Sequence, residues 1–186
     1  MGRIRPIQVF RRINQSLACL LLCVGITACQ STGPMDLPGD WTLQGRVAVT
    51  SDLLRRSVNI HWRQQGERFD IHLSGPLGVP VGRIEGDDRT AWLDVPGEPR
   101  QNAAGPDGLF RQHFGFSIPL TSMRHWVRGV MDPGLPHEYR GEHYLQAGWK
   151  IEYISYDDGL DVALPRNLRI SRPEASLTLL VRRWEV

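Results

Sequence analysis

From Trp41 onward, apolar and polar residues alternate with a period of two. Leu43, Gly45, Val47 and Val49 fall on one face, and Thr42, Gln44, Arg46 and Thr50 on the other. Val58, Ile60 and Trp62 alternate with Ser57, Asn59, His61 and Arg63, and Phe69, Ile71 and Leu73 with Asp70, His72 and Ser74. Successive side chains of a strand point to opposite sides, so this rhythm predicts antiparallel strands with one wet face. Gln65-Gly66-Glu67 reads as the turn between the second and third strands. Further strands are expected over 79–85, 90–95, 144–147, 150–156, 167–172 and 176–183, with turns at Asp87-Asp88 and at Asp157-Asp158-Gly159. Nine or more strands are too many for a flat sheet of this size, and a strongly curved sheet or barrel is the natural closure.

One stretch breaks the rhythm. Residues 107–115 (DGLFRQHFG) place Leu109, Phe110, His113 and Phe114 at helical spacing, with Asp107 as candidate cap and Gly115 as stop. Residues 121–129 (TSMRHWVRG) place Met123, Trp126 and Val127 at i, i+3 and i+4, again before a glycine. Two short helices inserted among strands must bury their apolar faces on the sheet, as a plug at its mouth or a cover over its concave face.

The amino terminus has a different character. A basic stretch from Arg3 to Arg12 precedes an apolar run, Ser16 to Ile26 (SLACLLLCVGI), followed by Thr27-Ala28-Cys29. Eleven residues of helix span roughly 17 Å, short of the ~30 Å hydrocarbon core, so residues 1–28 read as a signal peptide. Ile26-Thr27-Ala28-Cys29 resembles the bacterial lipobox, in which the cysteine is acylated and becomes the first residue after cleavage. Cys19 and Cys23 would be removed with the signal, which leaves Cys29 as the only cysteine and excludes an intramolecular disulfide or a cysteine-rich metal site. Several acyl chains give stable anchoring. Gln30 and Ser31 follow where enteric-type sorting would need an aspartate for retention at the inner membrane, which implies the outer membrane. Residues 29–40 form the acylated cysteine and a Pro- and Gly-containing tether, and residues 41–186 a single domain.

Composition narrows the function. The formal charge is +2, but Arg3, Arg5, Arg11 and Arg12 lie in the signal; without them 18 bases face 20 acids. No positive excess remains to neutralise phosphates, which removes the support for nucleic-acid binding. Lys150 is the only lysine, and it does not follow a glycine-rich loop, so a phosphate-binding GxxxxGK[ST] motif is absent. No GxSxG, HExxH, CxxC or dinucleotide motif occurs, and no nucleophile can be nominated with a base. His61 and His72 sit on polar faces of neighbouring strands and could meet. His137-Glu138 and Glu142-His143 flank a turn without a third ligand. No metal, cofactor or catalytic role is assigned. A curved sheet of this kind has either a core filled by its six tryptophans or an open apolar space for a ligand, and composition does not choose between them.

Several strings, in order and spacing, resemble the LolB family of outer-membrane lipoprotein receptors. They are Gly45-Arg46-Val47-Ala48-Val49, Ser74-Gly75-Pro76-Leu77-Gly78, Ile118-Pro119-Leu120-Thr121-Ser122-Met123-Arg124-His125-Trp126-Val127-Arg128-Gly129, Gly148-Trp149-Lys150-Ile151 leading to Tyr153 and Tyr156, and Leu164-Pro165-Arg166-Asn167-Leu168 closing on Trp184. The resemblance implies a mainly β fold, an incomplete antiparallel β-barrel of about eleven strands, with a short helical lid over an apolar cavity. It implies a monomeric, non-enzymatic outer-membrane lipoprotein on the periplasmic face. Such a protein accepts acylated lipoprotein cargo from a LolA-like periplasmic carrier and inserts it among the outer-membrane lipids, without ATP or cofactor. Only about eleven residues separate Cys29 from the first strand, fewer than in better-known members, which points to a lid of two helices. The cavity is expected to be lined by Val47, Val49, Ile60, Trp62, Phe69, Ile71 and Leu73 from early strands, by Ile151, Tyr153, Leu168, Ile170, Leu179 and Val181 from late ones, and by Met123 and Trp126 from the lid. Leu77 lies in Gly75-Pro76-Leu77-Gly78-Val79-Pro80, too rich in proline and glycine to pair as a strand. It either folds back on the core or, as the family implies, forms an exposed apolar tip for membrane insertion. The alternative reading is a structural outer-membrane lipoprotein with a filled barrel core.

Overall fold

The computed structural model describes residues 39–186, apart from 53, 115, 116 and 158 and the side chains of 112–114. The signal peptide, Cys29 and the start of the tether lie outside the described residues. Eleven strands form one antiparallel sheet: β1 (Asp40–Ser51), β2 (Arg55–Gln65), β3 (Arg68–Ser74), β4 (Pro80–Gly86), β5 (Ala91–Asp94), β6 (Gln101–Ala103), β7 (His137–Tyr139), β8 (Tyr144–Gln146), β9 (Trp149–Asp157), β10 (Leu164–Arg172) and β11 (Ala175–Glu185). Two helices, α1 (Pro106–Phe114) and α2 (Leu120–Trp126), stand between β6 and β7.

The spatial order is β6-β5-β4-β3-β2-β1-β11-β10-β9-β8-β7. The chain begins at the centre, winds out to β6, crosses over through the helices, and returns from the opposite edge until β11 pairs with β1. β6 and β7 are the two edges and do not pair, so the barrel is incomplete, as the sequence and its family resemblance led us to expect.

Register carries the alternation of single strands into continuous apolar rows. Leu43 faces Trp62, Trp62 faces Ile71, Ile71 faces Ile84 and Ile84 faces Leu93. On the other side of β1, Val47 faces Leu179, Leu179 faces Leu168, and Ile170 links Leu177 to Ile151. All these side chains lie on the concave face, because a one-residue slip in any strand would turn its whole apolar set outward. One end of this face is closed by tryptophan: the Trp41 ring centroid lies 5.2 Å from that of Trp62 and 5.6 Å from that of Trp184.

Three features depart from the pattern-based expectation. β6 and β7 are only three residues each and read QNA and HEY, too short and polar to show a period. The second helix ends at Trp126, not at Gly129. Its last carbonyls are taken by the turn that follows, with Arg128 N–H bonding His125 O and Gly129 N–H bonding Trp126 O, and Gly129 supplies the left-handed φ of 86°. Asp107 caps α2 rather than α1. Its Oδ1 accepts the Leu120 N–H at 3.0 Å, a tertiary partner thirteen residues on.

The central pair β1–β11 carries a bulge between Gln44 and Gly45. A Cβ on Gly45 would stand 2.3 Å from the Leu180 carbonyl oxygen, which is backbone and cannot swing aside. Gly45→Ala is therefore expected to cost about 2–3 kcal/mol by overpacking, or roughly 5–10 °C in melting temperature for a domain of this size. Thermal unfolding followed by circular dichroism checks it; an unchanged midpoint would mean the bulge relaxes freely.

Candidate functional site

The two helices cover the concave face unevenly. Over the late strands the cover is tight. The Trp126 indole, fully buried, donates to Gln146 Oε1 of β8 at 2.6 Å, and Tyr153 of β9 donates its hydroxyl to Trp126 O at 3.0 Å. Gln146 is itself 2% exposed and fully used: Oε1 also accepts from Asp132 N, while Nε2 donates to Asp132 O and Leu135 O at 2.8 Å each. Ser122 ties α2 to the same segment through Asp132 Oδ2 at 2.7 Å. Burial pushes the Tyr153 hydroxyl well above its ordinary pKa and the His125 imidazole below its own.

Over the early strands the cover leaves space. A hollow of about 360 Å³ lies between β1–β5 and the helical segment, within the range of small-ligand sites. Its walls are Val47, Val49, Val58, Ile60, Trp62, Ile71, Leu73, Val81, Gly82, Ile84, Leu93 and Leu177 from the sheet, and Phe110, Ile118, Leu120 and Met123 opposite them. Gly82 adds no side chain to its part of the wall. Leu54, Arg56, Val95 and Glu98 complete the lining where strands end, and mark its mouth.

Beside that mouth the β3–β4 connection, Pro76–Gly78, forms a 3₁₀ turn. Ser74 stands opposite Asn59, and Gly75 O accepts from Asn59 Nδ2 at 3.2 Å, which fixes the root of this loop to β2. Leu77 at its tip is fully exposed and held at φ 59°, and Val79 is also exposed. A leucine in the left-handed region is strained, so its conformation as well as its exposure is imposed by the Pro-and-Gly frame around it.

Chemistry of other kinds is not assembled here. His61 and His72 do stand opposite each other, with ring centroids 6.2 Å apart, but His72 Nε2 is engaged by Asp70 Oδ1 at 3.1 Å. Among the described residues no three His, Cys, Asp or Glu side chains converge as metal ligands. Asp87 organises its turn by accepting from Arg89 N and Thr90 N.

Comparison with known proteins decides the family. The model of the family described as "Outer membrane lipoprotein LolB" matches residues 39–184. The chain belongs to the LolB family. It is 33% identical over 154 residues to the outer-membrane lipoprotein LolB of Alkalilimnicola ehrlichii, covering 79% of this chain and 77% of that one. It is likewise 33% identical over 162 residues to the outer-membrane lipoprotein LolB of Thiobacillus denitrificans, covering 84% and 86%. A solved DUF1329 family protein from Desulfovibrio piger shares the fold at a TM-score of 0.52 with 8% identity, over 81% of this chain and 86% of that one.

Of the residues nominated from sequence for the cavity, Val47, Val49, Ile60, Trp62, Ile71, Leu73 and Met123 line the hollow. Phe69, Trp126, Ile151, Tyr153, Leu168, Ile170, Leu179 and Val181 do not; apart from the half-buried Tyr153 they are buried. Phe69 lies on β3 opposite Gln64 and Gly86, at the end of the strand away from Leu73; for the late-strand residues the reason is Trp126. Held by Gln146 and Tyr153, it sits over the late strands and occupies the volume that a symmetric lid would have left there. Several wall residues were not nominated. Val58, Ile84 and Leu93 share the period and the rows already described and were within reach of the pattern. Leu54, Arg56 and Glu98 carried no signal, being a turn residue and two charges.

The Asp107 cap gives this lid a pH dependence. Burial is the largest influence on its carboxyl and raises the pKa above 3.8, against the lowering effect of the Leu120 and Thr121 amides. A carboxyl raised on folding adds stability below its unfolded pKa and loses it as pH rises through the folded value. Asp107→Asn keeps an oxygen acceptor for Leu120 and removes the buried charge. It is expected to melt higher than wild type at pH 7 and to lose that advantage below pH ~3.8. Melting curves at both pH values check the sign.

Proposed function

We propose that the hollow receives the acyl chains of lipoproteins handed over by a LolA-like periplasmic carrier, and that the chain then passes them to the outer membrane on which Cys29 anchors it. The lipobox, on residues outside those described, supplies the anchor, and the family supplies the setting of lipoprotein sorting. The observation that carries the reading is a juxtaposition: an apolar hollow opens at the same end of the sheet as the exposed Leu77. One end of the molecule thus offers both a store for hydrocarbon and a tip that enters hydrocarbon. A filled-core scaffold has no use for either.

The energetics need no nucleotide. A buried chain of some sixteen carbons gains on the order of 10 kcal/mol at ~0.8 kcal/mol per CH₂. Movement is downhill when this hollow holds the chain better than the carrier does, and the bilayer better still. Leu77 contributes ~1.5–3 kcal/mol when buried, too little to hold the body on a membrane but enough to orient the mouth toward it.

Two substitutions separate storage from delivery. Val58→Trp places a large ring in the hollow and is expected to lower capture of a photoreactive acyl chain from carrier-bound lipoprotein by at least roughly tenfold, the effect of ~1.4 kcal/mol of lost burial. Leu77→Glu is expected to leave melting within ~0.5 kcal/mol of wild type and capture intact, while transfer of bound lipoprotein into vesicles falls. Normal capture by Val58→Trp would refute the store, and a large loss of stability in Leu77→Glu would refute the exposed tip.

A further inference from the structure

Among the walls of the hollow, two charges stand out. Arg56 is the second residue of β2, on the same face as Val58 and Ile60, and Glu98 lies in the β5–β6 turn across the mouth. The loop bearing Leu77 connects β3 to β4 and so lies between them along the rim. Glu98 accepts a hydrogen bond from Gln101 Nε2 at 3.4 Å. Arg56 is exposed, and among the described residues its guanidinium has neither a hydrogen bond nor an ion pair; Asp52 in the preceding turn does not reach it. Several other arginines of the sheet are engaged, Arg46 with Ser57, Arg83 with Asp70, Arg172 over Trp149 and Arg182 with Asn59; what sets Arg56 apart is that it alone among the described arginines lines the hollow.

An unengaged guanidinium at the mouth of an apolar hollow, beside a tip suited to hydrocarbon, is the arrangement that recognises an amphiphile by its anionic head. Arginine presents a planar fork that matches phosphate or carboxylate in two parallel bonds. The acyl groups of a lipoprotein hang on ester and amide linkages and offer no such anion. A glycerophospholipid offers a phosphate directly above its chains. We infer that the hollow also binds a membrane phospholipid, one acyl chain inside and the phosphate on Arg56. This inference rests on the acyl-store reading and deepens it, because it names what takes the place of cargo. An emptied apolar cavity forfeits the dispersion contacts of its walls, and water gains too few partners there to replace them. A lipid chain entering as the cargo chain leaves turns discharge into an exchange, with Arg56 favouring the incoming phosphate over the departing cargo.

The test uses the full-length chain in vesicles of phosphatidylethanolamine carrying a trace of one diazirine-acyl probe. The probes are phosphatidylethanolamine, diacylglycerol with the same chains, the free fatty acid, and a triacylated lipopeptide. The readout is labelling of peptides containing Ile60 and Leu73, by mass spectrometry. The phospholipid is expected to label the wall well above diacylglycerol. Arg56→Ala should reduce that labelling by roughly tenfold, as for a lost charge-assisted hydrogen bond, with partial recovery in Arg56→Lys. Lipopeptide labelling should not fall in either variant, which also shows that the variants fold, and should rise in Arg56→Ala as the competing phospholipid is held less well. Phospholipid labelling equal to diacylglycerol, or indifferent to Arg56→Ala, with normal lipopeptide labelling, overturns the inference and leaves the acyl store standing. An Arg56 effect confined to the fatty acid also overturns it, in favour of a carboxylate ligand. Wall labelling by neither lipopeptide nor phospholipid sinks both readings.

Discussion

The hydrogen bond from the Trp126 indole to Gln146 decides where this molecule is solid and where it is hollow. The sheet by itself is nearly even-handed: its concave face carries apolar rows from β5 to β9 without a break. A lid free to settle by hydrophobic contact alone would slide over such a surface, since burial is non-directional. Gln146 removes that freedom. Its amide has four partners, all met, and leaving any of them buried and unpaired would cost ~1–3 kcal/mol. The placement that satisfies them here puts the indole over the late strands, and the early strands keep their space.

This arrangement reconciles two demands that usually conflict. A protein stabilised by burial does best with no voids, yet a site for hydrocarbon must be one. Here the stabilising core and the open space are kept on different halves of the same sheet. The late half provides close packing, and the cluster of Trp41, Trp62 and Trp184 joins it to β1 and β2 at one end of the sheet. The early half can remain underfilled because the strands that bound it are locked by their pairing to β1, whose other neighbour β11 belongs to the packed half.

Apart from β6 and β7, the strands, their faces and the loop at Leu77 were legible in the sequence because each rests on a local rule: alternation for the faces, proline and glycine for the loop. The hollow was legible only in part, and the failures are instructive. Phe69, Ile151, Leu168, Ile170, Leu179 and Val181 have the same period and the same apolar character as Val47 or Leu73. Nothing local distinguishes a wall that a lid touches from one that it does not. The discriminating residue is a glutamine in a three-residue strand, which reads as surface. Asp107 was misassigned for a related reason. It has the chemistry of a helix cap and lies in the first turn of a helix, but the amide it caps comes from the next one.

Charge at the mouth follows from the same uneven lid. Where the cover is tight, polar groups of the lid bond to the segment and strands beneath, and Ser122, Gln146 and Tyr153 all have partners. Where it is open, a charged side chain can stand at the edge of an apolar surface with its head in water, its stem covering hydrocarbon. Arg56 does this on the rim beside Leu77, so the apolar hollow has a positive charge at its lip, across the mouth from Glu98. At a membrane surface these two features address different layers of the same lipid: the leucine matches the chains and the guanidinium matches the phosphate plane above them. In the proposed role, a mouth held at that depth faces its exit, and no further conformational work is needed to aim it.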